Sequence, residues 1–495
     1  MIASVNTCRP ADLAVLLLFL AAMAYMGWYL ARKRNNNSED FFLGGRSLPG
    51  WAVGLSMAGT ALSSVTFLAL PAATYVLDMR YVMQYAAYPL VILMAIFLFI
   101  PFFRKSGITS AYEYLENRFG LPVRLYTSAS FIIMQQIRLA AVLYLMALPV
   151  AHLTGIPVLW VIFLCGIAVM LYSGFGGMTA VVWTDVVQTI ILFAGAFIII
   201  GGILADVPGG LNGVIEQGSA AGKFSLGPRS FGLGERTMFV MVLAGFTTFL
   251  SGSIADQTVV QRYLAASSTF EARKAAVISA VSCMFTWGIF LFLGVALFVW
   301  VKNTGDAQIA KLTPEEVLPY YILHRIPQGI AGVIITAVIA AAMSTLSSGI
   351  NSNATVCVVD FIRRCIAPGK SDVYYLKCGK YASFASGIIM IAGAAAFHFL
   401  PRESMTDLTL IIGSLFGGCT LAIFLAVFFC KRINSTRAMI GIAGALVCNI
   451  YCMLSSFKLL PEKITLHIHS YLVILLVNAA FFVFAALPLP KCLKK

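Results

Sequence analysis

The chain alternates long apolar stretches with short polar ones. Thirteen stretches of roughly 20 residues, the length needed to cross a bilayer's hydrocarbon core, centre near residues 21, 62, 92, 138, 165, 192, 250, 286, 340, 387, 418, 445 and 479. This pattern predicts an all-α polytopic membrane protein with about 13 transmembrane helices and short connections. The longest connections, about 207–236 and 303–328, are punctuated by Gly and Pro and are expected to carry short surface helices. No soluble domain is expected at either end, so residues 1–495 read as a single membrane domain.

Composition agrees with the pattern. Of 495 residues, 60% are hydrophobic and 11% charged, against about 25% charged in a typical soluble domain. The 41 glycines fit helices that pack closely in lipid. The 11 cysteines have neither metal-site spacing nor a paired framework. Cys165, Cys283, Cys419 and Cys448 lie inside apolar segments and read as small packing residues.

A net charge of +14 on a soluble protein would raise nucleic acid as a partner. Here the charge has another explanation. The first apolar run, about Ala14 to Tyr29, is followed by Arg32-Lys33-Arg34, which marks a retained helix with its N-terminus outside rather than a cleaved signal. Thirteen spans then put the C-terminus inside. In that arrangement 22 Lys and Arg residues fall on the inner side and 11 on the outer side. This bias accounts for most of the positive charge and leaves no call for nucleic acid. One basic residue is left over: Arg138, in the middle of a span.

Three features interrupt the apolar pattern. Gly54 to Thr66, GLSMAGTALSSVT, packs two glycines, three serines and two threonines into one span. Such a stretch favours a discontinuous helix, whose freed carbonyl oxygens suit a hard cation such as sodium; tight small-residue helix packing is the alternative. Ala340 to Ser352, AAAMSTLSSGINS, sets Ser344, Thr345, Ser347 and Ser348 three or four residues apart, so their hydroxyls share a helical face. Together with carbonyls of the broken span they could form a neutral sodium cage, or they could bond back to their own helix. The third feature is a pair of intramembrane charges, Asp185 and Arg138, which are costly at that depth and are usually paired or functional. They pair with each other, or Asp185 serves a cation and Arg138 binds an anion, most simply a carboxylate, through its bidentate fork.

Five segments, in order, resemble the sodium:solute symporter family: GWAVGLSMAGTALSSVTF, ITSAYEYLENRFG at 108–120, GGMTAVVWTDVVQ at 176–188, DQTVVQRYLAAS at 256–267, and AAAMSTLSSGINS. The resemblance covers nearly the whole chain. It implies a LeuT-type fold of inverted five-helix repeats: an extra N-terminal helix at 10–34, a first repeat at 47–206, a second at 237–430 and two C-terminal helices at 434–491. It also implies a first sodium site from the backbone oxygens of Gly59, Leu62 and Ala341 with the hydroxyls of Ser344 and Thr345, and a second from Asp185, Ser344, Ser347 and Ser348.

Within the family the chain is most similar to bacterial sodium-coupled sialic acid symporters. In those an arginine holds the sugar acid's carboxylate, and Arg138 falls at that place. Ser63, Thr66 and Gln84 match other substrate-contacting positions, while Ala61 replaces a hydroxyl residue in that pocket. Neutral-sugar symporters carry an asparagine and a gating tyrosine where this chain has Phe249 and Gly252.

The resemblance therefore implies two sodium ions as coupling ions, a small anionic solute, a monomer in the bacterial inner membrane, and alternating access. A neutral sugar, inositol or another carboxylated nutrient is the alternative cargo. An enzyme would need a cluster of His, Asp, Glu or Cys within the spans, and the five histidines all lie near span ends.

Overall fold

The computed structural model describes residues 9–34, 37–232, 235–306, 308–399, 419–430, 432–456, 460–461 and 472–487. Its first element is α1 (Pro10–Arg34). The expected broken span follows as α2 (Gly50–Ala61) and α3 (Ser64–Val76), bent by 55°. Leu62 and Ser63 between them are extended, with ψ of 100° and 168°. Ser63 caps the new helix, its hydroxyl accepting from the Thr66 amide at 3.4 Å. This is what a Ser-rich stretch does when its side chains compete with helical backbone bonds.

The next spans are α4 (Tyr81–Lys105) and, after the short α5 (Glu113–Phe119), α6 (Leu121–Thr154). Then comes α7, a 49-residue helical stretch (Val158–Asp206). At 1.5 Å per residue a straight helix of that length would run about 74 Å, more than twice the bilayer core. It holds two of the expected spans, separated at Gly177 (φ 58°, ψ −162°), a conformation essentially reserved for glycine.

After a surface helix, α8 (Gly210–Ala220), the chain breaks a second time inside the membrane domain. The halves are α9 (Met238–Ala255) and α10 (Gln257–Ala265), separated at Asp256 (ψ 112°). The Asp256 carboxylate caps α10 by accepting from the Thr258 amide at 2.8 Å. The remaining elements are α11 (Thr269–Thr304), the surface helix α12 (Pro314–Arg325), α13 (Ile330–Val356), α14 (Asp372–Phe399), α15 (Thr420–Phe429), α16 (Ser435–Ser456) and α17 (Val473–Ala486). The expected span centre at 418 lies outside the described residues.

Among the described residues nine helices are long and apolar enough to cross a membrane, ten with the bent pair α2–α3. The break at Gly177 divides α7 between two of the predicted positions, and α15 and α17 are shorter apolar helices among the described residues. The two broken helices run in opposite senses. The start of the first and the end of the second meet on one face, where Leu48 bridges Ala266 and its amide donates to the Ala265 carbonyl at 3.2 Å. Helix α13 is the most enclosed span, buried on every side from Ile334 to Val356. It packs against α7, α6, α2 and α1 and so brings its hydroxyls to both the first break and Asp185.

Candidate functional site

The hydroxyls of α13 do not form one stripe; they serve two neighbouring clusters. In the first, the Ser344 hydroxyl donates to the Gly59 carbonyl at 2.8 Å and lies 3.1 Å from the Ala341 carbonyl. Thr345 reaches the Thr60 carbonyl at 3.1 Å and the Ala341 carbonyl at 3.4 Å. Gly59, Ala341, Ser344 and Thr345 are thus brought together where α2 approaches its break, and Leu62 is the residue that ends it. Gly59 must be small: a Cβ there would sit 2.4 Å from the Thr189 hydroxyl on α7. Bonds back to the helix occur, and each of these two hydroxyls also has a second oxygen across the interface.

The second cluster surrounds Asp185, fully buried on α7. Oδ1 faces the Ser347 hydroxyl at 3.4 Å, and Oδ2 accepts from Ser348 at 3.3 Å and Ser56 at 2.5 Å. Thr60 adds a hydroxyl 2.9 Å from that of Ser348. Asp185, Ser347 and Ser348 are therefore assembled as expected, with Ser344 one turn away.

The partner of Asp185 is Arg262, whose Nη2 lies 2.9 Å from Oδ2. Four further bonds hold the same guanidinium: Nη2 donates to Thr60 at 2.8 Å and to Ser348, Nε to Ser56 at 2.9 Å, and Nη1 to the Thr258 carbonyl at 2.8 Å. Arg138 therefore does not pair with Asp185, and Arg262, one of the 22 basic residues counted on the inner side, is buried at 1% exposure. The signal missed was spacing: Arg262 lies six residues past Asp256, where a break in the helix turns the following segment inward.

Arg138 sits on α6 with its side chain 44% exposed, immediately before the buried run Leu139–Tyr144. Its nearest acid is Asp256 at the second break, 3.7 Å from Nη1, beyond hydrogen-bond reach. It makes no hydrogen bond to a described residue. Helix α3, carrying Ser63 and Thr66, packs against α6. Ser63 and Thr66 hydroxyls lie 3.4 Å apart, and both residues are partly open, as is Gln84 on α4. Ala61 is exposed at the end of α2. Beside Gln84, Tyr85 stacks on Trp287 at 4.1 Å and Tyr88 packs on Phe249 at 4.7 Å, an aromatic wall the sequence did not single out.

Past the second break, α10 is tied to its neighbours by two buried glutamines. Gln261 donates to Asn351 at 2.7 Å and Thr355 at 2.9 Å, and accepts from Ser352 at 3.0 Å. Gln257 donates to the Thr109 carbonyl at 3.0 Å and accepts from the Ala111 amide at 2.7 Å.

Two oppositely running broken helices around a hydroxyl-lined centre define an ion-coupled secondary transporter of the LeuT-type fold. The chain belongs to the sodium:solute symporter family, whose model matches residues 41–444. It is 33% identical over 437 residues to the sodium/sialic acid symporter NanT of Aliivibrio fischeri, covering 87% of this chain and 85% of that one. It is 34% identical to the sodium/sialic acid symporter SiaT of Proteus mirabilis, covering 88% of each. Among solved structures, a sodium-coupled sialic acid symporter in a substrate-bound outward-open state superposes with a TM-score of 0.89 at 30% identity, covering 96% of both chains. The chain is a multi-pass membrane transporter, not an enzyme, and sodium is its coupling ion.

Proposed function

We propose that this protein imports sialic acid, N-acetylneuraminate, across the bacterial inner membrane with two sodium ions per molecule. The observation that carries the reading is Arg138, a half-exposed guanidinium at the second helix break that makes no hydrogen bond to a described residue and lies 3.7 Å from Asp256. A carboxylate there would accept two parallel, charge-assisted bonds. Both relatives of about one-third identity are named for sialic acid. Ser63, Thr66 and Gln84 would read the sugar's hydroxyl and amide groups. Ala61 contributes only space, so one polar contact of the related pockets is made elsewhere.

The mechanism follows from what each ligand joins. A first sodium ion among Gly59, Leu62, Ala341, Ser344 and Thr345 ties the first break to α13, and a second is served by Asp185, Ser344, Ser347 and Ser348. Holding α2 against α13 fixes the pocket beside the break, so ion and anion favour the same state. The face closed by α10 carries Arg104, Arg273, Lys274 and Arg364, the basic bias of a cytoplasmic surface. This supports an open external pocket, an external N-terminus and a cytoplasmic C-terminus. The repeats run over 47–206 and 237–430, flanked by 10–34 and 434–491, and the transporter works as a monomer.

Two sodium ions with one monoanion move one net charge inward, worth about 2.3 kcal/mol per 100 mV. Proteoliposomes are expected to accumulate labelled N-acetylneuraminate only with an inward sodium gradient, and faster with the interior negative. Uptake indifferent to membrane potential removes the two-ion stoichiometry; sodium-driven uptake of galactose or inositol in preference to the acid removes the substrate.

A further inference from the structure

Of the side chains expected to hold the second sodium ion, two are already engaged by a cation that belongs to the protein. Arg262 Nη2 lies against Asp185 Oδ2 and the Ser348 hydroxyl together, and Nε reaches Ser56. Among the described residues, Asp185 Oδ1 has only the 3.4 Å hydrogen bond from Ser347. A small hard cation with its full set of Asp185, Ser344, Ser347 and Ser348 needs the lone pairs of Ser348 that now accept from the guanidinium. It would also bring a second positive charge to a pair that is already neutral, in surroundings where charges are poorly screened.

Resting on the sodium reading of this cluster, we propose that Arg262 and the second sodium ion are alternative occupants of Asp185 and Ser348, and that the exchange unseats α10. Arg262 is a tethered counter-cation, a positioning residue that couples ion occupancy to the closed face.

The coupling is built into α10. Gln257, Gln261 and Arg262 are its polar anchors, and all three are fully or nearly fully buried. Gln257 and Gln261 bind the 109–111 loop and α13 through neutral bonds, and Arg104 holds the Tyr263 and Ala266 carbonyls at the end of α10, but among these three anchoring side chains of α10 Arg262 alone carries charge. A neutral amide left without one partner is tolerated more readily than a buried guanidinium without its carboxylate. When sodium takes Asp185, the displaced guanidinium must seek solvent or another acceptor, and the helix that carries it loosens first. This gives the second ion a role distinct from the first, which ties α2 to α13 without displacing any charged group.

The test uses the purified full chain in lipid nanodiscs, titrated with NaCl against KCl at constant ionic strength and followed by thermal unfolding. Arg262→Gln removes the competing charge and frees Ser348, so it is expected to lower the sodium concentration for half-maximal stabilisation roughly fivefold or more. Arg262→Lys, which keeps the charge, is expected to recover most of the wild-type value. Adding Asp185→Asn to Arg262→Gln is expected to erase the gain. An unchanged or higher midpoint in Arg262→Gln overturns the competition while leaving sodium binding intact.

Should Arg262→Gln fail to fold, hydrogen exchange on the wild type decides. Sodium, unlike potassium, is expected to accelerate amide exchange in 257–265, and unchanged or slowed exchange there overturns the proposal. If the wild type responds to sodium no more than to potassium, the sodium reading of the cluster falls as well.

Discussion

The Ser344 hydroxyl donates to the Gly59 carbonyl at 2.8 Å and so joins α13 to the last full turn of α2 before its break. An ion bound there replaces this single bond with several. Ser344→Ala is therefore expected to cost little in the absence of sodium, on the order of 1 kcal/mol for one buried hydrogen bond. In sodium the loss should be larger, because Ser344 is a candidate ligand in both clusters. Thermal unfolding in NaCl and in KCl measures the two losses separately. Equal losses in the two salts would remove Ser344 from the ion site.

Arg138 makes a separable prediction, since it touches neither hydroxyl cluster. Arg138→Ala is expected to abolish stabilisation by N-acetylneuraminate while leaving the sodium titration within about twofold of wild type. Arg138→Lys keeps the charge but not the fork, and charge-assisted hydrogen bonds contribute about 1.5–3 kcal/mol. It should therefore weaken acid binding at least tenfold. Calorimetric titration with the acid, and with a neutral analogue in which the carboxylate is esterified, reads the difference. A wild type that binds the ester as tightly as the acid would show that Arg138 does not hold the carboxylate.

The break at Leu62–Ser63 was legible because its cause is local. Glycines and hydroxyl residues concentrated in one span weaken the helix and offer caps, and the chain takes both options. The second break was not legible in the same way. MFVMVLAGFTTFLSGSIA reads as an ordinary span, and its interruption rests on a single capping carboxylate, Asp256. Missing that break meant missing Arg262, which counts as a loop charge if the helix ends at the membrane surface. Asp185 was legible as an intramembrane acid, but its partner was not, because an ion pair across 77 residues leaves no periodic trace. Hydroxyl spacing on α13 singled out Ser344, Thr345, Ser347 and Ser348 as lying on neighbouring turns of one helix. Their division between two clusters depends on where α2 and α7 dock, which no single segment encodes.

A buried pair on the basic face carries a stability prediction. Asp360, with 0% exposure, accepts from Arg124 Nε at 2.8 Å, Ser110 at 2.7 Å and Ser128 at 2.9 Å. It lies just past α13, so it fixes the end of the hydroxyl-bearing helix against α6. Asp360→Ala leaves Arg124 buried with only the Glu116 carboxylate and is expected to destabilise by about 3–5 kcal/mol. Arg124→Met combined with Asp360→Leu removes both charges and should recover a large part of that loss. Denaturation of the three proteins in one detergent tests this. If the double variant is no more stable than Asp360→Ala, the loss comes from packing rather than from an unpaired charge.

The same network gives a pH dependence through Glu116, which lies outside the spans on α5. The hydrogen bond from Arg364 outweighs partial desolvation and, with the bond from Arg124, holds the Glu116 carboxyl below the ordinary glutamate range. Nη2 of Arg364 is 2.6 Å from Oε1, and Nη1 of Arg124 is 2.7 Å from Oε2. A carboxylate with a lowered native pKa adds stability that is fully present above its unfolded value, about 4.3. That stability is lost as pH falls through the lower native value. Glu116→Gln should therefore melt below wild type at pH 7, with the gap narrowing once pH drops under about 4.3. Because Asp360 and the other acids titrate in both proteins, the difference between the two melting curves isolates Glu116. A gap that stays constant from pH 7 to pH 3.5 would mean that Glu116 acts through shape alone, and the link between α5 and the Arg364 end of the hydroxyl-bearing helix would then not be ionic.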